Sequence, residues 1–321
     1  MKRREFIAGL IASTAIPGAA HAQAHIRRVG VLITGSFSTQ SIFDMAMQEL
    51  GWHPGQDVQI DYRLTNGDEE SSRAHARELI SLKPNVLFAV TNASMAAVYA
   101  EGTNIPTVFA MVSDPVGMHL FDSFAKPGRN ITGFTPFEPS LGSKWVSVLK
   151  EIAPNVQHIG LVYDPEPGNN SPSFRKAIDE GGNSLHILSI ETPVGNSSDI
   201  ERLIVSVSQK PNGGLIFLPD AVTFARRDQI VSLVNRCQLP AIYPLRSYCA
   251  VGGLVSYGVD IKKVVRSATS YIDRILRGTN PADLPVQAPT EFELVINQPS
   301  AKGLGLHVPA TLLARADEVI E

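Results

Sequence analysis

The sequence predicts an α/β fold of two Rossmann-like, doubly wound lobes, each built on a parallel sheet, joined by a hinge of several strands. Short β-branched, apolar runs alternate with amphipathic helical segments, and this alternation begins near residue 28 and again near residue 140. No flexible linker rich in Gly and Ser separates the two units. We therefore expect one lobe to comprise residues 26–134 plus about 258–290, and the other residues 135–257 plus about 291–321.

The first 22 residues predict an export signal that is removed from the mature protein. Lys2, Arg3 and Arg4 form a basic start, and the apolar run that follows, residues 6–16, is too short to span a bilayer. Ala20 and Ala22 fit a small-x-small cleavage site, and the Arg-Arg-Glu-Phe-Ile order resembles a twin-arginine signal. We expect cleavage after Ala22 and a periplasmic location.

Composition argues against several classes of partner. The formal charge of −3 becomes −5 once the leader is removed, which gives no reason to expect nucleic acid or an anionic membrane. The histidines are scattered without ligand spacing, and Cys-x-x-Cys is absent from the sequence, so no metal and no cofactor are expected. Cys237 and Cys249 either pair in an oxidising compartment or remain two separate thiols.

The first unit predicts four strands, three helices and a short exit strand. In the first helix Phe43, Ala46, Met47 and Leu50 recur at helical spacing, and Gly51 ends it. The expected strands are residues 28–33, 58–62, 86–90 and 108–111, and the other helices are residues 69–82 and 91–100. The short strand 131–134 then leaves the first lobe and enters the second.

The second unit repeats the pattern. Ser140 is expected to cap a helix, and the strands that follow are predicted at residues 158–163, 185–190, 214–218, 241–243 and 252–257, with helices between them. One of these helices is expected to extend to Arg236. Asp260 is expected to cap the most regular helix of the chain, which ends at Gly278. A last strand at 292–296 precedes an amphipathic tail.

Polar residues follow the predicted strands of the first lobe, where open parallel sheets bind ligands. Two of the loops lead into helix N-termini, which favour an anion such as a carboxylate. The alternative is that these Ser and Thr side chains only cap their helices. The candidate ligand-binding residues of this lobe are Gly35, Ser36, Phe37, Thr91, Asn92, Ser94, Ser113 and Asp114.

The second lobe offers a matching set at its own strand ends. Asp220 follows an apolar strand, so its carboxylate is suited to a ligand ammonium, although a simple N-cap is the alternative. The candidate residues of this lobe are Tyr163, Asp164, Asp220, Tyr243 and Arg246. No nucleophile elbow, phosphate loop or zinc-protease motif occurs in the sequence, so we predict no catalytic residue and no enzyme. An exported hydrolase using a cleft Ser and Asp is the rival interpretation.

Longer motifs carry a family resemblance that spans the mature chain. They are Ser-Asp-Pro-Val-Gly at 113–117, Pro-Gly-Arg-Asn-Ile-Thr-Gly at 127–133, and the segments 28–32, 49–51, 239–243, 254–258, 289–297 and 313–320. With them the chain resembles the ABC-transporter substrate-binding proteins of the tryptophan-binding-like family. The resemblance implies a type I periplasmic binding fold and a receptor that closes around an amino-acid-like or aromatic ligand. We expect the protein to be a monomer. It also implies delivery to a membrane permease, or alternatively a sensor role.

Overall fold

The computed structural model describes residues 26–321 except 35–36, 66–67, 114, 117, 122, 126, 137, 164–171 and 194–196. The predicted leader and its cleavage site lie outside these residues. The strands are β1 (Arg27–Thr34), β2 (Val58–Thr65), β3 (Val86–Val90), β4 (Thr107–Ala110), β5 (Ile131–Phe134), β6 (His158–Tyr163), β7 (Leu188–Pro193), β8 (Gly213–Phe217), β9 (Ala241–Tyr243), β10 (Val255–Gly258), β11 (Glu293–Asn297) and β12 (Glu318–Ile320).

The helices alternate with these strands along most of the chain. They are α1 (Phe37–Glu49), α2 (Glu69–Ser81), α3 (Asn92–Ala100), α4 (Leu141–Ile152), α5 (Pro172–Ser184), α6 (Ser197–Ser208), α7 (Ala221–Ala225), α8 (Arg227–Arg236), α9 (Arg246–Ala250), α10 (Ile261–Leu276), α11 (Gln298–Gly303) and α12 (Ala310–Leu313). Among the described residues, none of these helices combines the length and apolarity that crossing a membrane requires.

The first sheet has five parallel strands in the order β2-β1-β3-β4-β5. Its central strands are buried on both faces because helices cover each side. Phe88 packs with α1 and α10 residues on one face, and the next residue, Ala89, packs with α2 and α3 residues on the other. Because β1, β3 and β4 pair in parallel, their carboxyl ends lie at one edge of the sheet.

The second sheet has seven strands in the order β12-β11-β10-β9-β8-β6-β7, all parallel except for the β10–β11 pair. Trp145 of α4 is fully buried and stacks on Phe174 of α5, with ring centroids 5.7 Å apart. The Trp145 indole N–H also donates to the Tyr257 carbonyl at 2.7 Å, which holds α4 against the end of β10. The predicted fold class, α/β with two parallel-sheet lobes, is confirmed.

The chain passes between the two sheets three times, and each passage adjoins a strand: after β5, after β10 and before β11. The first and third passages bond to each other, because the Thr135 N–H donates to the Gln287 carbonyl and the Gln287 N–H donates to the Gly133 carbonyl, both at 3.0 Å. The second passage begins at Gly258, where a Cβ would lie 1.9 Å from the Pro244 carbonyl oxygen. Only glycine fits so close a backbone approach.

Three local expectations were wrong. The strand predicted at 185–190 is β7, three residues later, because residues 185–186 form a turn with His186 at φ 56° and the Ile187 N–H bonded to Gly182. The helix predicted to run to Arg236 is two helices, α7 and α8, which meet at Arg226. The tail contributes an unpredicted strand, β12, because it pairs with β11.

Candidate functional site

The structure brings two of the predicted loops of the first lobe together at the carboxyl edge of its sheet. The Ser113 N–H donates to Asn92 Oδ1 at 2.9 Å, and the Thr91 N–H donates to the Ala110 carbonyl at 3.0 Å. Both bonds join the end of β3 to the end of β4, since those strands are neighbours. Thr91, Asn92 and Ser113 therefore form one polar rim, which we call the first rim.

The backbone is strained at the first rim and directly after β4. Thr91 has φ 90° and Met111 has φ 59°, and both are non-glycine residues in the positive-φ region. Such conformations cost on the order of 1–3 kcal/mol each and persist where the surrounding structure imposes them, often at ligand sites. Thr91 stands at the N-terminus of α3, yet its side chain makes no capping bond, and its buried Oγ1 has no hydrogen-bond partner among the described residues.

Ser94 lies beneath the first rim and is fully buried. Its Oγ is 3.0 Å from Thr34 Oγ1, which is 3.1 Å from Thr65 Oγ1, and Ser72 Oγ lies 3.1 Å from that same Thr65 atom. This chain of hydroxyls fastens α2 and α3 to β1 and β2. The structure therefore places Ser94 in the support of the rim and not on its surface.

Part of the predicted set lies outside the described residues. These predicted residues are Gly35, Ser36, Asp114 and Asp164. Phe37 begins α1, but only its backbone is described. Their assignment to the site stays a prediction.

Asp220 in the second lobe adopts the alternative role that the sequence left open. It caps α7: Oδ1 accepts the Thr223 N–H and Oδ2 accepts the Thr223 hydroxyl, both at 2.7 Å. The residue is partly exposed at the carboxyl end of β8. Its position is the predicted one, but both of its carboxylate oxygens already accept bonds from the chain.

Tyr163 and Tyr243 are core residues, with only 4% and 1% of their surface exposed. The Tyr243 ring stacks between Phe217 and Tyr248, with centroids 4.9 Å and 4.8 Å apart, and this burial raises the pKa of Tyr243 well above its usual value. The Tyr243 side chain points into the lobe because it packs between these two rings at the end of an apolar strand. Tyr243 thus lies at the carboxyl end of β9, but its ring is packed inside the lobe.

Arg246 is occupied by a partner far along the chain. Its Nε and Nη2 donate to the two carboxylate oxygens of Glu318, each at 2.5 Å. The pair raises the pKa of Arg246 and lowers the pKa of Glu318. Its observed contact is structural, since it fastens α9 to β12.

Arg226 is a residue of this edge that sequence reasoning missed. It lies between α7 and α8, directly after the capped turn that begins at Asp220. Its Nη1 is buried and has no hydrogen-bond partner among the described residues. A continuous helix to Arg236 would have placed Arg226 within a helix; the break after Ala225 was the missing signal.

The described residues form neither a metal site nor a reactive thiol. They contain no group of three or more His, Cys, Asp or Glu side chains placed to hold a metal ion. Cys237 and Cys249 are free thiols, and burial raises the pKa of Cys249 to about 12. The thiolate is therefore scarce at neutral pH, which makes Cys249 a poor nucleophile.

Two cavities lie away from the strand ends just described. One of about 300 Å³ is bordered by the first turns of α4, Tyr257 and Phe292, and one of about 350 Å³ lies along α5. The described residues that line them include none of the predicted site residues. The candidate site is defined instead by the polar residues at the strand ends: the first rim, and the Asp220–Arg226 segment of the second lobe.

Two parallel-sheet lobes with polar strand ends, joined by three passages of the chain, define a two-lobe solute-binding protein. The chain belongs to the family of ABC transporter substrate-binding proteins, whose sequence model matches residues 34–320. The predicted family resemblance is thereby confirmed.

Three known proteins are similar to this chain over most of its length. A tyrosine-binding protein of Clostridioides difficile is 25% identical over 265 residues, 82% of this chain and 75% of the relative. The crystal structure of a conserved domain protein from Vibrio cholerae has a TM-score of 0.84 at 26% identity, covering 92% of this chain and 99% of that one. A Streptococcus pneumonia ABC domain in complex with L-Trp also has a TM-score of 0.84, at 23% identity and the same coverage.

Proposed function

We propose that this protein is the periplasmic solute receptor of an ABC importer. It binds a small amino-acid-like or aromatic carboxylate between its two lobes and delivers it unchanged to a membrane permease, acting as a monomer. Membership of the substrate-binding family carries the proposal. The similarity to a tyrosine-binding protein and to an ABC domain in complex with L-Trp favours this class of ligand.

The first rim supplies groups suited to the ligand carboxylate. The N-terminus of α3 presents backbone N–H groups and the positive end of a helix dipole beside Thr91 and Asn92. Ser113 is held next to them by its bond to Asn92. These groups are fixed before the ligand arrives, so little ordering entropy is lost on binding.

Transport requires two states of the molecule and no catalytic group. A ligand that touches both lobes binds more tightly when they are closed, and it shifts the population toward that state by the difference in affinity. Micromolar binding corresponds to about 8 kcal/mol. A few charge-assisted hydrogen bonds of roughly 1.5–3 kcal/mol each, with some buried apolar area, account for that amount.

A thermal-shift screen tests ligand binding directly. The mature protein is heated with L-tyrosine, L-tryptophan, other amino acids and aromatic acids, and binding to the native state raises the melting temperature. The hit is then incubated at length with the protein and recovered for mass spectrometry. We expect unchanged ligand; conversion to a new product would favour the hydrolase interpretation instead.

Export and delivery need separate measurements. Fractionation of a Gram-negative host expressing the full chain, with N-terminal sequencing of the soluble periplasmic form, should show a protein that begins at Gln23. Ligand uptake by cells that carry the permease and ATPase of the proposed importer should depend on this protein. A cytoplasmic, uncleaved chain would contradict the export step.

A further inference from the structure

The segment that joins α7 to α8 carries two adjacent arginines with different surroundings. The Arg227 guanidinium donates to the Phe224 carbonyl at 3.2 Å, lies 4.9 Å from the centre of the Phe224 ring, and pairs with Asp228 at 3.6 Å. Arg226 shows no ion pair among the described residues, and its buried Nη1 lacks a hydrogen-bond partner there. One cation is thus compensated by its neighbours and the other is not.

An uncompensated buried guanidinium N–H is costly. Removing a charged donor from water without a partner loses its hydration, so such a group in a native structure requires an explanation, for example a water, an ion or a ligand that accepts from it. The Arg226 backbone does not explain its placement, because its N–H donates to Thr223 and its carbonyl accepts from Ile230 as in any helix start. The orphaned atom belongs to the side chain alone.

The position of Arg226 makes a ligand the natural partner. The α7 turn follows β8 directly, so Arg226 lies at the carboxyl edge of the second sheet, where parallel sheets bind ligands. The first lobe has an orphaned atom at its corresponding edge, the buried Oγ1 of Thr91. Among the described residues, each lobe therefore has an unsatisfied polar side-chain atom at the edge where the solute is expected.

We propose that Arg226 is a ligand-binding residue whose guanidinium donates hydrogen bonds to a carboxylate of the solute, and that the solute must therefore carry one. The inference rests on the proposed function and narrows its ligand class. A guanidinium fork suits a carboxylate because it offers parallel N–H donors. Asp220, whose oxygens accept from Thr223, holds the α7 turn that positions Arg226.

Calorimetry with matched ligand pairs tests this assignment. L-Tyrosine and L-tryptophan are compared with tyramine and tryptamine, which lack only the carboxylate. We expect the parent to bind an acid at least about 10-fold more tightly than its amine. Arg226→Gln should weaken binding of the acid by about 10- to 100-fold while leaving the amine unaffected, and Arg226→Lys should recover part of the loss. The matched control Arg227→Gln should keep the parent's preference for the acid.

The melting temperature of the ligand-free protein separates recognition from a structural role. Since Arg226 Nη1 has no hydrogen-bond partner among the described residues, we expect Arg226→Gln to melt at or above the parent temperature. A lower melting temperature would show that Arg226 makes a stabilising contact within the chain, and it would overturn the proposal. Equal binding of acid and amine by the parent, or full affinity in Arg226→Gln, would also overturn it. If none of these compounds binds to the parent protein, the proposed ligand class is wrong. The melting temperature of the ligand-free variants still decides whether Arg226 has a structural role.

Discussion

At the scale of single residues, the strained backbone of Thr91 lowers the stability of the protein and fixes the conformation of the first rim. Its φ of 90° is readily adopted only by glycine, and within the described part of the chain its buried hydroxyl has no hydrogen-bond partner. We expect Thr91→Gly to raise the free energy of unfolding of the ligand-free protein by about 1 kcal/mol, since relief of strain exceeds the entropy that glycine loses. Binding should weaken up to about 10-fold because one hydrogen bond to the ligand is removed. Urea denaturation and calorimetry measure the two effects.

Lys83 provides the matched control for this prediction. It also has positive φ, 50°, but it is exposed after α2 and lies at the end of the lobe away from the rim. Lys83→Gly should stabilise the protein in the same direction without changing ligand affinity. If Thr91→Gly destabilised the ligand-free protein, the inference that the rim stores strain would be wrong.

At the scale of elements, the Arg246–Glu318 pair fixes the last strand, β12, to α9. The folded-state pKa of Glu318 is lowered by this partner. A lowered carboxyl pKa contributes stability above the unfolded value of about 4.3, and the contribution is lost as pH falls through the folded value. We expect Glu318→Gln to lower the melting temperature at pH 6 and to approach the parent near pH 3. Glu321→Gln, at an exposed position, is the control; a pH-independent difference for Glu318→Gln would contradict this account.

Elements with local signals were predictable from the sequence, and those that depend on distant contacts were not. The helix α10 was predicted because Asp260 caps it, accepting from the Lys262 N–H at 2.8 Å, and its apolar stripe is regular. The strand β12 was missed because it exists only through pairing with β11.

The same division holds for the candidate site. Alternation of strands and helices places Thr91, Asn92 and Ser113 at one edge, and the structure brings them together. Local sequence could not show that Arg246 bonds a residue 72 positions away, or that Tyr243 stacks inside the lobe. The sequence predicts which residues lie at strand ends, but the direction of their side chains depends on tertiary packing.

At the scale of the whole molecule, the proposed function depends on how easily the lobes change their relative orientation. Gln287 stands on the third passage between them, and its side-chain Nε2 donates to the Tyr271 hydroxyl at 2.9 Å, which in turn donates to the Pro285 carbonyl at 2.9 Å. Tyr271 belongs to α10 and packs on Phe134 at 4.7 Å, beside the first passage. This cluster anchors two of the three passages to the first lobe.

We expect Gln287→Ala to loosen that anchor and lower the fraction of molecules in the binding-competent arrangement. The apparent dissociation constant rises as that fraction falls, by up to about 10-fold for one lost hydrogen bond, although no contact with ligand is removed. Small-angle scattering should show a larger radius of gyration for the ligand-free variant and the parent's compact value at saturating ligand. Gln238→Ala is the matched control, because that amide also makes one bond, to the Asn235 carbonyl at 2.9 Å, within the second lobe. Equal affinities and equal radii for Gln287→Ala and Gln238→Ala would show that the Gln287 cluster does not set the lobe equilibrium.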